Sequence, residues 1–438
     1  MDFNPVETFR DFRPRTKIVL IVWTILNLLV LGILLFAAKA PVFGSIIFFL
    51  IWELAVWGYY VYRYKYREHH KFGEWVDAIM FAVIAATVIR SMFIELYQIP
   101  TSSMEKSLMV GDFLFVNKMS YGTRLTMTPI SFPFAHHTMP LINTKAYSEM
   151  IKFPYYRLPG VGKIKNGDVV VFNWPAETLG RPVDKKENYI KRCVAIPGDT
   201  LSVVKGVVHI NGVPEDVPPM RQFSYIVRKS TAGNLKKEFL YDNDITDYQI
   251  EKDAKLYTMQ LNDVNREVVE KYTGVIGVDT ILHARGVNDG NLFPINKQHQ
   301  WSRDFYGPLY IPKKGVSVTL SKDNYDLYER VIKEYENHPE FEMRNNKFYM
   351  GTEEITDYTF EMDYYFMMGD NRHYSYDSRF WGFVPENHVV GKAWFVLWSI
   401  RSEKGTVRKK NPDTGRIEEF QTSKFDGIRW NRCLMGIK

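Results

Sequence analysis

The first 96 residues contain three apolar runs, about Ile18–Ala38, Val42–Val61 and Val76–Leu96. A bilayer's hydrocarbon core takes about 20 apolar residues per helical crossing. Inside lipid only a helix or a closed barrel satisfies its own backbone. Residues 1–97 are therefore expected to be a membrane anchor of three transmembrane helices, at about 18–38, 42–61 and 76–96. A second run follows the first at once, without a small-residue cleavage site, so the first is not read as a removable leader.

Lys and Arg in the short flanks orient the anchor. Arg10, Arg13, Arg15 and Lys17 precede the first run, and Lys39 stands alone after it. Arg63, Lys65, Arg67 and Lys71 lie between the second and third. Cytoplasmic flanks carry the excess of basic residues. The N-terminus and second loop are thus expected inside, and everything beyond residue 100 outside. Arg90 and Glu95 near the far end of the third run are read either as an interfacial segment or as side chains reaching the outer headgroups.

From residue 108 the texture changes to short alternating runs. Strands are expected at Asp112–Asn117, Asp168–Asn173 and Asn188–Val194. Leu201–Ile210 followed by Asn211-Gly212 is a hairpin signal. Strand patterns return at Tyr364–Met368 and Val389–Ile400. Between that hairpin and these later strands, 214–360 is less regular, with an amphipathic helix at Asp323–Asn337. The fold class expected is N-terminal transmembrane α-helices followed by a mainly β extracytoplasmic domain with an inserted α+β subdomain. The divisions are 1–97 anchor, 98–213 first part of the β domain, 214–360 insert, 361–400 second part of the β domain and 401–438 polar tail, read as a loop with a final docked segment.

Hydrophobic residues are 46% and charged residues 24% of the chain, which excludes wholesale disorder. A net charge of +6 over 438 residues leaves no electrostatic footprint for nucleic acid. The two cysteines, Cys193 and Cys433, form no CxxC pair, which excludes a cysteine-based zinc or redox motif; whether they pair with each other stays open. Gly160-Val-Gly-Lys163 is a broken P-loop, with Arg157 and Ile164 at essential positions. No metal or cofactor is expected.

Three segments could carry chemistry. Gln98-Ile-Pro-Thr-Ser-Ser-Met-Glu-Lys-Ser-Leu108 sets three hydroxyls behind a proline, and a serine nucleophile needs a base. Ser103-Met-Glu-Lys106 spells S-x-x-K, but the S-D-N and K-T-G partners of that enzyme class are absent. The other candidate base is Lys191 in Asn188-Tyr-Ile-Lys-Arg-Cys-Val194. Strand alternation puts Tyr189, Lys191 and Cys193 on one face and Arg192 on the other. Burial can lower a lysine pKa by up to about 3–5 units. The third segment, Met368-Gly-Asp-Asn-Arg-His-Tyr-Ser-Tyr-Asp-Ser-Arg-Phe-Trp-Gly382, crowds Asp370, Arg372, Asp377 and Arg379 with Ser375 and Ser378. It reads as a salt-bridge knot in which a hydroxyl aims the base.

Together these segments resemble the type I signal peptidases, or leader peptidases, over the third apolar run, 97–122, 166–212 and 363–399. The insert and tail lie outside the likeness. The resemblance implies a membrane-bound Ser/Lys endopeptidase that removes signal peptides from exported preproteins at the outer face of the cytoplasmic membrane. It implies Ser103 as nucleophile and Lys191 as general base. Thr101 and the Ser103 N–H would form the oxyanion hole, and Ser375 would orient the lysine. Asp370, Asp377 and Arg379 would be the supporting ion pairs. Ile99, Pro100, Met104, Leu108, Tyr189 and Ile190 would line a pocket for small side chains, with the substrate strand along Gln98–Pro100 and Asn188–Ile190. The partners implied are signal peptides, the lipid bilayer and the export machinery.

Two departures stand out. Lys106-Ser107 replaces Pro-Thr, which could bring a rival amine to Ser103, and Ser102 replaces a common Gly. The competing readings are a decayed protease fold acting as a membrane-anchored binding protein, and an S-x-x-K hydrolase using Lys106.

Overall fold

The computed structural model describes residues 14–32, 42–65, 71–139, 142, 144–216, 218, 220–230, 234–250, 255–286, 292–295, 299–410 and 417–437. The chain parts into two compact units. One comprises Met1–Ile94, Gly122–Gly160 and Thr178–Lys186; the other comprises Glu95–Tyr121, Val161–Glu177 and Glu187–Lys438.

The first unit contains helices α1 (Pro14–Gly32), α2 (Val42–Lys65) and α3 (Lys71–Met92), of 19, 24 and 22 residues. Residues 33–38, at the end of the first apolar run, and Arg10, Arg13, Lys39 and Arg67 lie outside the described residues. Taken over the described side chains, no helix presents a stretch long and apolar enough to cross a membrane. Polar groups tie α1 to α2: Asn27 Nδ2 and Thr24 Oγ1 donate to the Glu53 carboxylate at 2.8 and 3.1 Å. Phe49 and Phe153 form a small apolar cluster with Leu31, Leu125, Ile151 and Tyr156.

The third apolar run does not stay helical to Leu96. Helix α3 stops at Met92, and Ile94–Gln98 is strand β1. The alternation Ile-Glu-Leu-Tyr-Gln suits an edge strand. Glu95 sits there buried, paired with Lys118 at 2.8 Å and with the Tyr97 hydroxyl. It is not a headgroup-seeking side chain.

The second unit is built on a nine-stranded sheet of β1, β2 (Asp112–Asn117), β3 (Val169–Asn173), β4 (Asn188–Ala195), β5 (Tyr364–Met368), β6 (Val384–Pro385), β7 (Val389–Lys410), β8 (Ile417–Ile428) and β9 (Met435–Gly436). Its order is β1-β2-β7-β3-β4-β5-β6, with β8 and β9 both paired to β7. Strand β3, Val-Val-Val-Phe-Asn, is buried at every position, as a continuous apolar run between two partners should be. Strand β2 alternates instead, and its outer face pairs Phe113 with Trp398 and Phe115 with Phe395 across the ladder. Such cross-strand aromatic pairs stabilise register.

The expected polar tail is not a loop. Residues 401–410 continue β7, which forms a long antiparallel ribbon with β8. The 214–360 stretch divides in two. Strands 223–229, 248–250, 256–261 and 275–280 make a separate four-stranded sheet with its own apolar cluster around Val227, Met259 and Val269. Strand 305–310 instead joins 200–204, 207–210 and 213–214. Left-handed Lys205-Gly206 and Asn211-Gly212 close the tight turns of that sheet. The expected helix begins at Lys322, with a capping box between Ser321 and Asn324, and its last turn, Val331–Tyr335, widens to a π-turn. It packs in one core with Val194, Leu201, Leu309, Phe341 and Phe366.

Leu309 is fully buried in that core. Truncating such a side chain costs about 2–5 kcal/mol. Leu309→Ala is expected to lower the thermal midpoint of the purified protein. An unchanged midpoint would remove Leu309 from the core's stabilising contacts.

Candidate active site

Gln98 ends β1, Pro100 follows, and Ser102–Met104 forms one 3₁₀ turn entered from an extended Thr101. The turn lies down because Met104 and Leu108, both fully buried, pack with Ile99 and with half-buried Ile190. The Leu108 N–H donates to the Met104 carbonyl at 2.7 Å. Ser103 is thereby carried at 9% exposure.

Strand β4 brings Lys191 to it. Val170, Val171 and Phe172 of β3 stand in register with Lys191, Ile190 and Tyr189. Lys191 Nζ donates to Ser103 Oγ at 2.7 Å and to the Ile190 carbonyl at 2.9 Å. The lysine is 4% exposed. Loss of hydration pushes its pKa down to about 8, against the opposing pull of Asp377 and Asp370. At pH 7 roughly a tenth of such a group is neutral.

The two carboxylates do not approach as free charges. Asp377 accepts Arg379 Nε and Nη2 at 2.9 and 2.7 Å and the Gly369 N–H at 3.1 Å. Despite complete burial its carboxyl is held below the usual range, chiefly by Arg379. Asp370 accepts Arg192 Nε and Nη2 at 2.8 and 2.6 Å. Arg192 is therefore buried, its charge matched by Asp370, rather than turned out to water. The Arg192–Asp370 pairing is not legible in strand alternation, because it joins residues 178 positions apart.

Ser375 lies in the site but makes no hydrogen bond to Lys191. Its hydroxyl is buried without a partner at full hydrogen-bond geometry, yet lies near enough to Asp377 to favour that carboxylate's charged form. Thr101 is exposed, and its hydroxyl caps nothing in the turn. Asn188, Tyr189 and Ile190 are half-buried; Asn173 Nδ2 donates to Asn188 Oδ1 at 3.1 Å, and Tyr189 stacks flat on Trp174 at 5.3 Å. Pro100 is exposed.

Asn371 completes the site and has no role in the sequence reading. Its N–H donates to the Ser103 carbonyl at 3.1 Å and its Nδ2 to the Ser102 carbonyl at 3.1 Å. It thus fixes the peptides of Ser102 and Ser103. Its place beside Asp370 in the crowded loop is the only signal for it in the chain. Lys106 is not a rival amine: its Nζ donates to the Asn243 carbonyl at 2.8 Å.

His283, Asp304 and His373 form a group whose donor atoms could surround a metal ion. His373 Nδ1 accepts the Ser224 N–H at 3.2 Å, so its proton sits on Nε2, which meets Asp304 Oδ1 at 2.8 Å. A ring held in that tautomer has no lone pair to offer at Nε2, which argues for a hydrogen-bonded cluster. Cys193 and Cys433 are both free thiols.

The profile of the family "Signal peptidase, peptidase S26" matches residues 72–317 and 306–398. The chain belongs to this family. It is 26% identical to Signal peptidase I of Buchnera aphidicola subsp. Baizongia pistaciae over 323 residues, 74% of this chain and 76% of the relative. It is 26% identical to Signal peptidase I of Pseudomonas aeruginosa over 339 residues, 75% and 72% of the two chains. With Signal peptidase I of Helicobacter pylori it shares 24% over 371 residues, 84% and 92%.

Gly369 lies between Ser103 and Ser375, and a Cβ there would overlap the Ser103 carbonyl oxygen and the Ser375 hydroxyl. Gly369→Ala is therefore expected to push the Ser375 loop away from the Ser103 turn and lower peptidase activity by on the order of 100-fold, since misplacements of about 1 Å carry that penalty. Wild-type turnover in the variant would show that this close approach is not needed.

Proposed function

We infer that this signal peptidase family member is a membrane-anchored serine endopeptidase that removes N-terminal signal peptides from exported preproteins, with Ser103 as nucleophile and Lys191 as general base. The observation that carries the reading is the 2.7 Å contact between the Lys191 amine and the Ser103 hydroxyl in a dry setting.

The preprotein lies extended between Gln98–Pro100 and Asn188–Ile190, where main-chain bonds supply affinity as in strand addition. The pairing of β4 with β5 runs only from Arg192 to Ala195, so the register of β5 ends before the substrate segment. The floor formed by Ile99, Met104, Leu108 and Ile190 admits small side chains before the scissile bond; Pro100 and Tyr189 border it. Ser103 Oγ attacks the scissile carbonyl while neutral Lys191 takes its proton. The oxyanion is received by the Ser103 N–H and the Thr101 hydroxyl, a kind of donor whose loss typically costs about 10²–10³ in rate. Collapse of the tetrahedral adduct breaks the C–N bond, and Lys191 returns the proton to the leaving amine. Lys191 then activates water to hydrolyse the acyl ester. Ser375 and the Asp377–Arg379 and Asp370–Arg192 pairs keep the loop beside Lys191 in place.

Helices α1–α3 are proposed to cross the cytoplasmic membrane, with the catalytic unit outside and the bilayer and export machinery as partners. Three features support this. The runs are apolar, the backbone helices are 19, 24 and 22 residues long, and large apolar side chains face outward, among them Leu28, Leu54, Trp75 and Phe81. Glu53 in the middle of α2 is matched by Asn27 and Thr24, as a polar residue within a bilayer requires.

Ser103→Ala and Lys191→Ala are each expected to abolish cleavage of an exported precursor by the detergent-solubilised protein. Lys191→Arg, which keeps a permanent positive charge, is expected to be equally inactive. Cleavage that persists in any of the three contradicts the assignment.

A further inference from the structure

The turn that carries Ser103 is gripped by the insert and by the C-terminal segment. Beyond Met104 the backbone passes through Glu105 to Lys106, whose φ of +70° is left-handed. A lysine takes that conformation only when its surroundings impose it. Two elements do so. From the C-terminal segment, Arg432 Nη2 donates to the Ser107 carbonyl at 3.0 Å while pairing with Asp112 at 2.6 Å. From the insert, the Asn243 carbonyl accepts Lys106 Nζ at 2.8 Å, and Asn265 Nδ2 braces the same carbonyl at 2.9 Å. Next to it, Thr246 Oγ1 donates to Glu105 Oε1 at 3.1 Å. Asp247 Oδ2 accepts Asn371 Nδ2 at 3.4 Å, and Asn371 is the residue that bonds the carbonyls of Ser102 and Ser103.

We propose that the insert segment Asn243–Asp247 is a positioning clamp for the nucleophile, holding the Ser103 turn through Lys106 and Glu105 and, by way of Asn371, through the peptide of Ser103 itself. This rests on Ser103 being the nucleophile. The clamp residues act by fixing where Ser103 Oγ stands relative to Lys191.

The Glu105 carboxyl makes the clamp sensitive to pH. It is 3% exposed, and its Oε2 is buried without a hydrogen-bond partner. The charged groups around it are Asp247 from the insert, Lys106 from its own turn and Arg429 from the C-terminal segment. Asp244 and Arg432 lie one shell further, around Lys106. Burial and then Asp247 push the Glu105 carboxyl up to about 7, against the smaller pulls of Thr246, Arg429 and Lys106. Below that pH the acid is neutral and tolerates Asp247. Above it two carboxylates face each other and the grip loosens.

The test compares Lys106→Met, Thr246→Val and Glu105→Gln in the full-length enzyme, using a signal-peptide substrate across pH 6–9. Thermal midpoints are followed alongside, and Thr246, being exposed, gives a variant that folds without burden. Lys106→Met is expected to lower kcat on the order of tenfold, as a small displacement of a reacting group does, with KM little changed. Thr246→Val is expected to lower kcat in the same sense by less. Glu105→Gln stays neutral, so its kcat relative to wild type is expected to rise as pH passes 7. Wild-type kcat in both Lys106→Met and Thr246→Val, or a Glu105→Gln ratio that is flat with pH, overturns the clamp. Activity in Ser103→Ala would overturn the functional reading instead, so the two failures are distinguishable.

Discussion

The Lys191 amine is held almost entirely out of water, and the surrounding architecture is arranged around it. Removing hydration favours the neutral amine, which is the form able to accept a proton from a serine. Lys191 is shifted toward that state because it is buried on β4 beside β3, and because its hydrogen-bond partners, Ser103 Oγ and the Ile190 carbonyl, are uncharged. A carboxylate in direct contact would favour the charged form instead.

That condition explains the crowded loop after β5. It brings two carboxylates and the Arg379 guanidinium into the interior near the amine, where Arg192 arrives from β4, an arrangement tolerable only if each charge is already matched. Asp377 is closed by Arg379 and a backbone N–H; Asp370 is closed by Arg192. Breaking one partner of such a buried pair costs about 3–5 kcal/mol, so the loop is rigid. Rigidity lets Asn371 and Gly369 serve as a template for the Ser103 turn.

Sequence patterns made the local pieces legible. The limits of β2, β4 and β5 follow from alternation and turn residues, and the cluster of hydroxyls after Pro100 points to a nucleophile. The end of the third apolar run was not legible, because Ile94-Glu-Leu-Tyr-Gln is as compatible with a helix as with a strand until Lys118 supplies a partner for Glu95. The β7–β8 ribbon was not legible either, since charged residues mask its alternation. Contacts across long separations, Arg192 with Asp370 or Lys106 with Asn243, depend on topology, which local pattern does not encode. The division of the 214–360 stretch has the same cause: strand 305–310 finds its partner at 200–204, about a hundred residues earlier.

The ionisation of Lys191 tests this account most directly. In protein carrying isotope-labelled lysine and solubilised in detergent, the Lys191 signal, assigned by its loss in Lys191→Ala, can be followed by NMR through a pH titration. A midpoint near 8, well below the ordinary lysine value, is the predicted result. A midpoint above about 10, the value of a hydrated lysine, would contradict it.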